Sequence, residues 1–258
     1  VYSFDYLKKW ERPVSGKEDV IFFLPPVGPK PDQIILNLLE DIGNIEFHRV
    51  PKWITEEIQA QENSADLNVK IVEDRANWDY VYDVEELIQL SGNKFRQKRR
   101  NLEKFLEQYD YEFTVINTQE HLEKTKELQL EWCEINQCQK NEDLLEEQRA
   151  IKEVIDHYHD LDLKGGLLCV EEHCAGYTFG EMMTEDTAVI HVEKAHVQFE
   201  GSYQAVNNLF LKNCLGKEAK HVNREQDLGI PGIRRAKKGY NPIRMVEKSK
   251  IVRKGSGS

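Results

Sequence analysis

The stretch Thr187-Ala188-Val189-Ile190-His191-Val192-Glu193 reads as a strand whose apolar run is interrupted by one imidazole and closed by one carboxylate. Alternation along a strand puts Val189, His191 and Glu193 on one face and Ala188, Ile190 and Val192 on the other. A His or Glu on a strand beside a cleft can accept the proton that a hydroxyl or amine nucleophile loses. The competing reading is that the two pair with each other or with Lys194. Glu181, just past the Gly180 that closes the neighbouring run, is a third candidate. Tyr203, Gln204 and Asn207 open a helical run and present phenol and amide groups to whatever the preceding loop holds, the alternative being a buried aromatic with satisfied amides. Arg224, Glu225 and Asp227 precede Gly229, and Arg234, Lys237 and Tyr240 follow on a short helix between Pro231 and Pro242. Arg234 can hold a phosphate or carboxylate bidentately, Lys237 can serve as a point charge or stabilise an oxyanion, and Asp227 can orient either or bind a substrate amine. A structural ion-pair network is the alternative. The catalytic candidates are therefore His191, Glu193, Asp227 and Lys237. The substrate-binding candidates are Glu181, Tyr203, Gln204, Asn207, Arg224, Glu225, Arg234 and Tyr240.

The elements that must position these residues can be read from periodicity. Residues 20–24 form an apolar strand stopped by Pro25 and Pro26, and Ile34, Ile35, Leu38 and Leu39 follow at helical spacing up to Gly43. Asp83 and Glu86 have the spacing of an N-cap and a carboxylate reaching back, opening a helix with Leu87, Leu90, Phe95, Leu102 and Phe105 on its apolar side and a break at Ser91-Gly92. Residues 113–116 read as a strand, Asn117 with Glu120 as the cap of a helix containing Leu128, Trp132 and Ile135, and Ile151, Ile155 and Tyr158 as the apolar face of another. Three strand-like runs then follow at 166–170, 175–179 and 187–193, joined by short turns as a meander. A loop containing Gly201 leads into a helix over 203–215, whose N-terminus offers unpaired N–H groups and the positive end of a dipole.

Charge is segregated. The 258 residues carry a net charge of −11, which argues against a general polyanion binder. Yet Lys94, Arg96, Lys98, Arg99, Arg100 and Lys104 face only Glu103 within one short segment, a nucleic-acid or phosphate-binding candidate run. From Arg224 to Lys254, ten basic residues face Glu225, Asp227 and Glu247. Solvated helix faces are the competing account of both runs. No apolar run approaches the ~20 residues that a membrane span requires, and no basic-then-apolar leader is visible. The closing Gly255-Ser256-Gly257-Ser258 reads as an appended linker. Five cysteines, Cys133, Cys138, Cys169, Cys174 and Cys214, lack zinc-site spacing and read as reduced thiols, giving a cytoplasmic location as the expectation and no metal.

Two helices, a three-stranded meander, a glycine loop and a helix form an order that resembles the GNAT acyltransferase core. Several stretches in sequence also resemble the phosphatidylglycerol lysyltransferase C-terminal domain family. They are Glu73-Asp74-Arg75-Ala76-Asn77-Trp78-Asp79-Tyr80-Val81-Tyr82, Leu90-Ser91-Gly92-Asn93-Lys94-Phe95, His191-Val192-Glu193-Lys194-Ala195, Gly201-Ser202-Tyr203-Gln204-Ala205-Val206-Asn207, Asn223-Arg224-Glu225-Gln226-Asp227-Leu228-Gly229, and Gly232-Ile233-Arg234-Arg235-Ala236-Lys237 with Tyr240-Asn241-Pro242. The resemblance implies an α+β fold of two tandem GNAT-like units, related to the Fem-type aminoacyltransferases, with residues 1–112 as a degenerate unit and 113–254 as the catalytic one. It implies a bacterial enzyme that moves an aminoacyl group from aminoacyl-tRNA to an amine or hydroxyl, the acceptor being a small molecule, a peptide or a lipid head group. An acyl-CoA-dependent N-acyltransferase and a non-catalytic module that keeps the cleft are the alternatives. The loop at Gly201 lacks the Arg/Gln-x-x-Gly-x-Gly/Ala pattern of coenzyme A users, so no cofactor is firmly implied.

Overall fold

The computed structural model describes residues 20–42, 44–61, 68–216 and 218–254. Gly43 and the terminal Gly-Ser run at 255–258 lie outside the described residues.

The chain divides into two compact units, residues 1–79, 226–231 and 245–258 in the first, and 80–225 and 232–244 in the second. The first unit contains β1 (Ile21–Phe23), α1 (Pro31–Asp41), β2 (Ile45–Pro51), α2 (Lys52–Gln59), β3 (Val69–Glu73) and, returning from the chain's end, β11 (Lys248–Arg253). Its sheet runs β1-β2-β11-β3, with β1 parallel to β2 and β11 antiparallel to both neighbours. Ile35 and Leu39 of α1, Phe47 and Val50 of β2, Ile54 and Ile58 of α2 and Ile251 of β11 close one core. Each such side chain contributes about 1.5–3 kcal/mol on burial.

The second unit holds β4 (Asp79–Asp83, beginning at the division), α3 (Val84–Gln89), α4 (Arg96–Gln108), β5 (Tyr111–Val115), α5 (Gln119–Ile135), α6 (Glu142–Asp156), β6 (Lys164–Val170), β7 (His173–Met182), β8 (Thr187–Ala195), α7 (Ser202–Phe210), β9 (His221–Asn223) and α8 (Pro231–Lys238). Its sheet runs β10-β4-β9-β8-β7-β6-β5, where β10 is the short edge strand Arg244–Val246. The meander is as expected, β6, β7 and β8 pairing antiparallel. The compact units divide at 79/80, because β4 pairs with β9, Val81 opposite Asn223, and so joins this sheet. The expected break between α3 and α4 is present, and Asp83 caps α3 by accepting from the Glu86 amide at 2.8 Å. The cap of α5 is Thr118, which accepts from the His121 amide, and not Asn117 as the spacing suggested. Ser and Thr at this position serve as well as Asn, so the two were separable only by geometry.

The cysteine reading needs correction. Cys133 at the end of α5 and Cys138 in the following turn form a disulfide, the turn having brought their Cα atoms to 5.0 Å, well inside bridging range. Cys169 and Cys174 face each other across β6 and β7 with their Sγ atoms 2.9 Å apart.

Gly201 is required where it stands. Its φ is +89°, and a Cβ there would sit 2.2 Å from the Asn101 carbonyl oxygen of α4. The loop read as a ligand cradle is thus pressed on α4, and α7 begins against that contact. Gly201→Ala is expected to lower stability by roughly 1–3 kcal/mol through left-handed backbone and overpacking together, read as a fall in Tm.

Candidate functional site

A β-bulge sets the chemistry of β8. Val192 lies opposite Phe179 of β7 and Ile190 opposite Gly180, so His191 is the extra residue between them. Val192 and Phe179 pack with Tyr158 and Tyr177 in the core under α5 and α6, whereas a Cβ at Gly176 or Gly180 would meet Val206 or Phe210 on the α7 side. The bulge therefore breaks the simple alternation. His191 turns to Glu181, and Glu193, opposite Thr178, turns to α7. The two were expected on one face and are not, since a bulge resets the period of two.

His191 is held by two carboxylates. Its Nε2 is 3.0 Å from Glu181 Oε1 and its Nδ1 is 3.0 Å from Glu225 Oε1. The hydrogen bond to Glu225 is the largest influence raising the imidazole above its ordinary pKa, burial opposes it, and Glu181 adds to it. The side chains of His191 and Glu181 are each 39% exposed and that of Glu225 34%, so the triad is open to solvent. Beside it the strands part. The parallel ladder of β8 with β9 ends at Val189 and Asn223, while β8 continues to Ala195 and the chain after β9 turns to β4 through the Arg224 amide and the Tyr80 carbonyl.

Glu193 serves a second cluster. Its Oε1 is 2.7 Å from Arg224 Nη2, and its Oε2 accepts from Asn207 Nδ2 at 2.9 Å. The Arg224 and Glu193 side chains are 10% and 12% exposed. The Arg224 guanidinium stands 4.8 Å from the Tyr240 ring centre and 5.7 Å from that of Tyr82. Burial raises Tyr240 to about 12 and Tyr82 further, with the Arg224 charge opposing in both. Gln204 hydrogen-bonds Tyr240. Lys98 is 4.3 Å from the same ring, its pKa lowered by burial and then by the neighbouring Arg224. Lys237 donates from Nζ to the Arg224 carbonyl, and its own carbonyl accepts from the Tyr82 hydroxyl at 2.9 Å.

The remaining candidates are placed elsewhere. Asp227 belongs to the first unit, where it is fully buried, 3.2 Å from Arg75 Nη1, and accepts from the Gly229 amide at 2.8 Å. These contacts fix the 227–230 turn. Tyr203 accepts from Trp132 Nε1 at 3.4 Å, and Lys194 lies 3.9 Å over the Trp132 ring while pairing with Glu147. Arg234 is half-buried on α8. The basic run from Lys94 splits: Lys94 pairs with Glu86, Arg99 donates to the Leu90 and Gly92 carbonyls, Lys98 enters the tyrosine cluster, and Arg96 is exposed. Sequence reasoning missed Tyr82, whose signal was the alternation Asp79-Tyr80-Val81-Tyr82 on a strand buried on both sides. A separate concavity of about 400 Å³, lined by Lys126, Gln129, Leu145 and Arg149 among others, involves none of these groups.

Mixed sheet, meander and a splayed central strand bearing acid and base groups define an α+β acyltransferase-type fold of the GNAT kind. The chain belongs to the phosphatidylglycerol lysyltransferase C-terminal family, whose model matches residues 15–251. It is 31% identical to a conserved protein of unknown function from Bacteroides thetaiotaomicron VPI-5482, over 90% of this chain and 79% of that one, with a TM-score of 0.80. The structure of L-PGS from Bacillus licheniformis shares the fold at 15% identity, over 92% of this chain and 78% of that one, with a TM-score of 0.64. In sequence the chain is also 25% identical, over 230 residues, to an uncharacterised protein of Mycoplasmoides gallisepticum, covering 86% of this chain and 71% of that one. Among the described residues no helix is long and apolar enough to cross a membrane.

Proposed function

We propose that the protein transfers an aminoacyl group from an activated ester, aminoacyl-tRNA in the first instance, to an amine or hydroxyl, and that His191 accepts the nucleophile's proton. The observation that carries this reading is His191 held between Glu225 and Glu181 where β8 leaves β9. A neutral imidazole donates only one N–H, so one of its two carboxylates faces a lone pair. Glu225 orients Nδ1, and the exposed Glu181 side is where a substrate O–H or N–H can enter and donate to Nε2. Once the proton is taken, both nitrogens donate to carboxylates and the imidazolium is stabilised; as the ester C–O bond breaks, the proton passes to the released ribose oxygen, which leaves as a hydroxyl. Glu193, engaged with Arg224 and Asn207, is given no proton-transfer step in this reading and acts instead on their position.

Support for the donor comes from the family and from the form of the loop at Gly201, which is pressed on α4 and lacks the glycine pattern that coenzyme A users show. The test offers the purified protein a mixture of charged tRNAs or, separately, acetyl-CoA, with hydroxylamine and then amine or hydroxyl acceptors, following product by mass spectrometry. Transfer from charged tRNA that Glu181→Gln and His191→Gln diminish is the expected result. Tight acetyl-CoA binding by calorimetry, with acetylation of a small amine, would replace it with the coenzyme A reading. No transfer from either donor would leave the binding module.

A further inference from the structure

We infer that Arg224, Lys98 and Tyr240 form a binding site for a single phosphate group, on the face of β8 away from His191. Arg224 has its charge matched by Glu193 but one of its donors left over. Arg224 gives Nη2 to Glu193 and also hydrogen-bonds Tyr240, while its Nη1 is buried with no hydrogen-bond partner. A guanidinium has five donors in a fixed fork, and a buried one left unpaired is costly. Lys98 lies on the same Tyr240 ring as Arg224, and among the described residues no carboxylate comes within ion-pair distance of it. Two cations thus share one buried tyrosine-walled place with one carboxylate, which Asn207 holds on the far side. Burial and then the neighbouring Arg224 charge lower the Lys98 pKa, with Glu193 opposing, so one carboxylate does not offset two cations here.

The donors select the ligand. A phosphate oxygen meets Arg224 Nη1 as the second tooth of the fork, and Lys98, flexible and half-buried, meets another as a point charge. Gln204 and the Tyr240 hydroxyl, already bonded to each other, border the place with neutral donors. The Lys237 ammonium is engaged with the Arg224 carbonyl and so fixes the chain that carries the guanidinium. This assignment differs from a backbone-tracking role for the basic run, because only Lys98 of that run reaches the tyrosines. The site is independent of whether the protein transfers an acyl group, since binding can be measured without turnover.

Two sources share this chemistry, a phosphate monoester end and a phosphodiester within a nucleic acid or lipid head group. Calorimetric titration of the whole protein with inorganic phosphate and with dimethyl phosphate separates them. Saturable binding of at least one is expected, weakened roughly tenfold or more by Lys98→Gln and by Arg224→Lys, each of which removes one charge-assisted contact. The better-bound probe names the source. Should Arg224→Lys fail to fold, Lys98→Gln still decides, because its side chain is half-exposed on α4. Absence of saturable binding by either probe, or binding that Lys98→Gln leaves unchanged, overturns the site.

Discussion

Replacement of His191 by Gln lowers transfer by roughly 10²- to 10⁴-fold, the range for loss of a general base, with Tm nearly unchanged near pH 8. The pH profile then tests the mechanism apart from the residue. Because Glu225 and Glu181 raise the imidazole pKa, the rising limb of kcat/KM lies above the ordinary value of 6.5. Glu225→Gln removes the larger cause, so that limb should move to lower pH while the maximal rate falls through lost orientation. Stability gives an independent reading. A histidine with a raised folded pKa stabilises fully below about 6.5 and loses that contribution as pH rises through the folded value. Tm of the parent protein should accordingly decline across that window, and His191→Gln should flatten the decline. A purely structural His191 would give the Tm behaviour without the loss of transfer.

Much of this arrangement was legible in residue order. The meander, the helix at Gly201 and the break before α4 are set by local periodicity and by backbone requirements that few residues meet, as Gly201 with its positive φ shows. His191 and Glu225 were both named, but their meeting depends on a one-residue bulge, and nothing in an apolar run reveals which residue a ladder leaves out. The same event sent Glu193 to the other face. Asp227 sits only two residues beyond Glu225, yet it belongs to the first unit, because the turn after β9 leaves one sheet for another neighbourhood. Cys133 and Cys138 were separable from free thiols only once the turn between them was known. Contacts set by the geometry of a bulge or a turn have no signature in residue order.

Glu193→Ala should be among the most destabilising single changes in the second unit, by about 3–5 kcal/mol. Its carboxylate compensates a guanidinium that is 10% exposed, and removing it strands that charge beside Lys98. For a domain of this size the loss corresponds to a fall in Tm on the order of 6–20 °C. The double variant Glu193→Leu with Arg224→Met removes both charges and should recover most of the loss, since a buried pair replaced by well-packed apolar groups is often neutral. Phosphate distinguishes the cluster as a ligand site from a cluster that only holds the fold. In Glu193→Ala a bound anion takes the place of the missing carboxylate, so saturating phosphate should raise Tm more than it does in the parent protein. The double variant has no Arg224 to bind, and phosphate should leave its Tm where it was. Equal responses in all three proteins would show that Arg224 and Glu193 serve packing alone, and would leave His191 as the one chemically active group on β8.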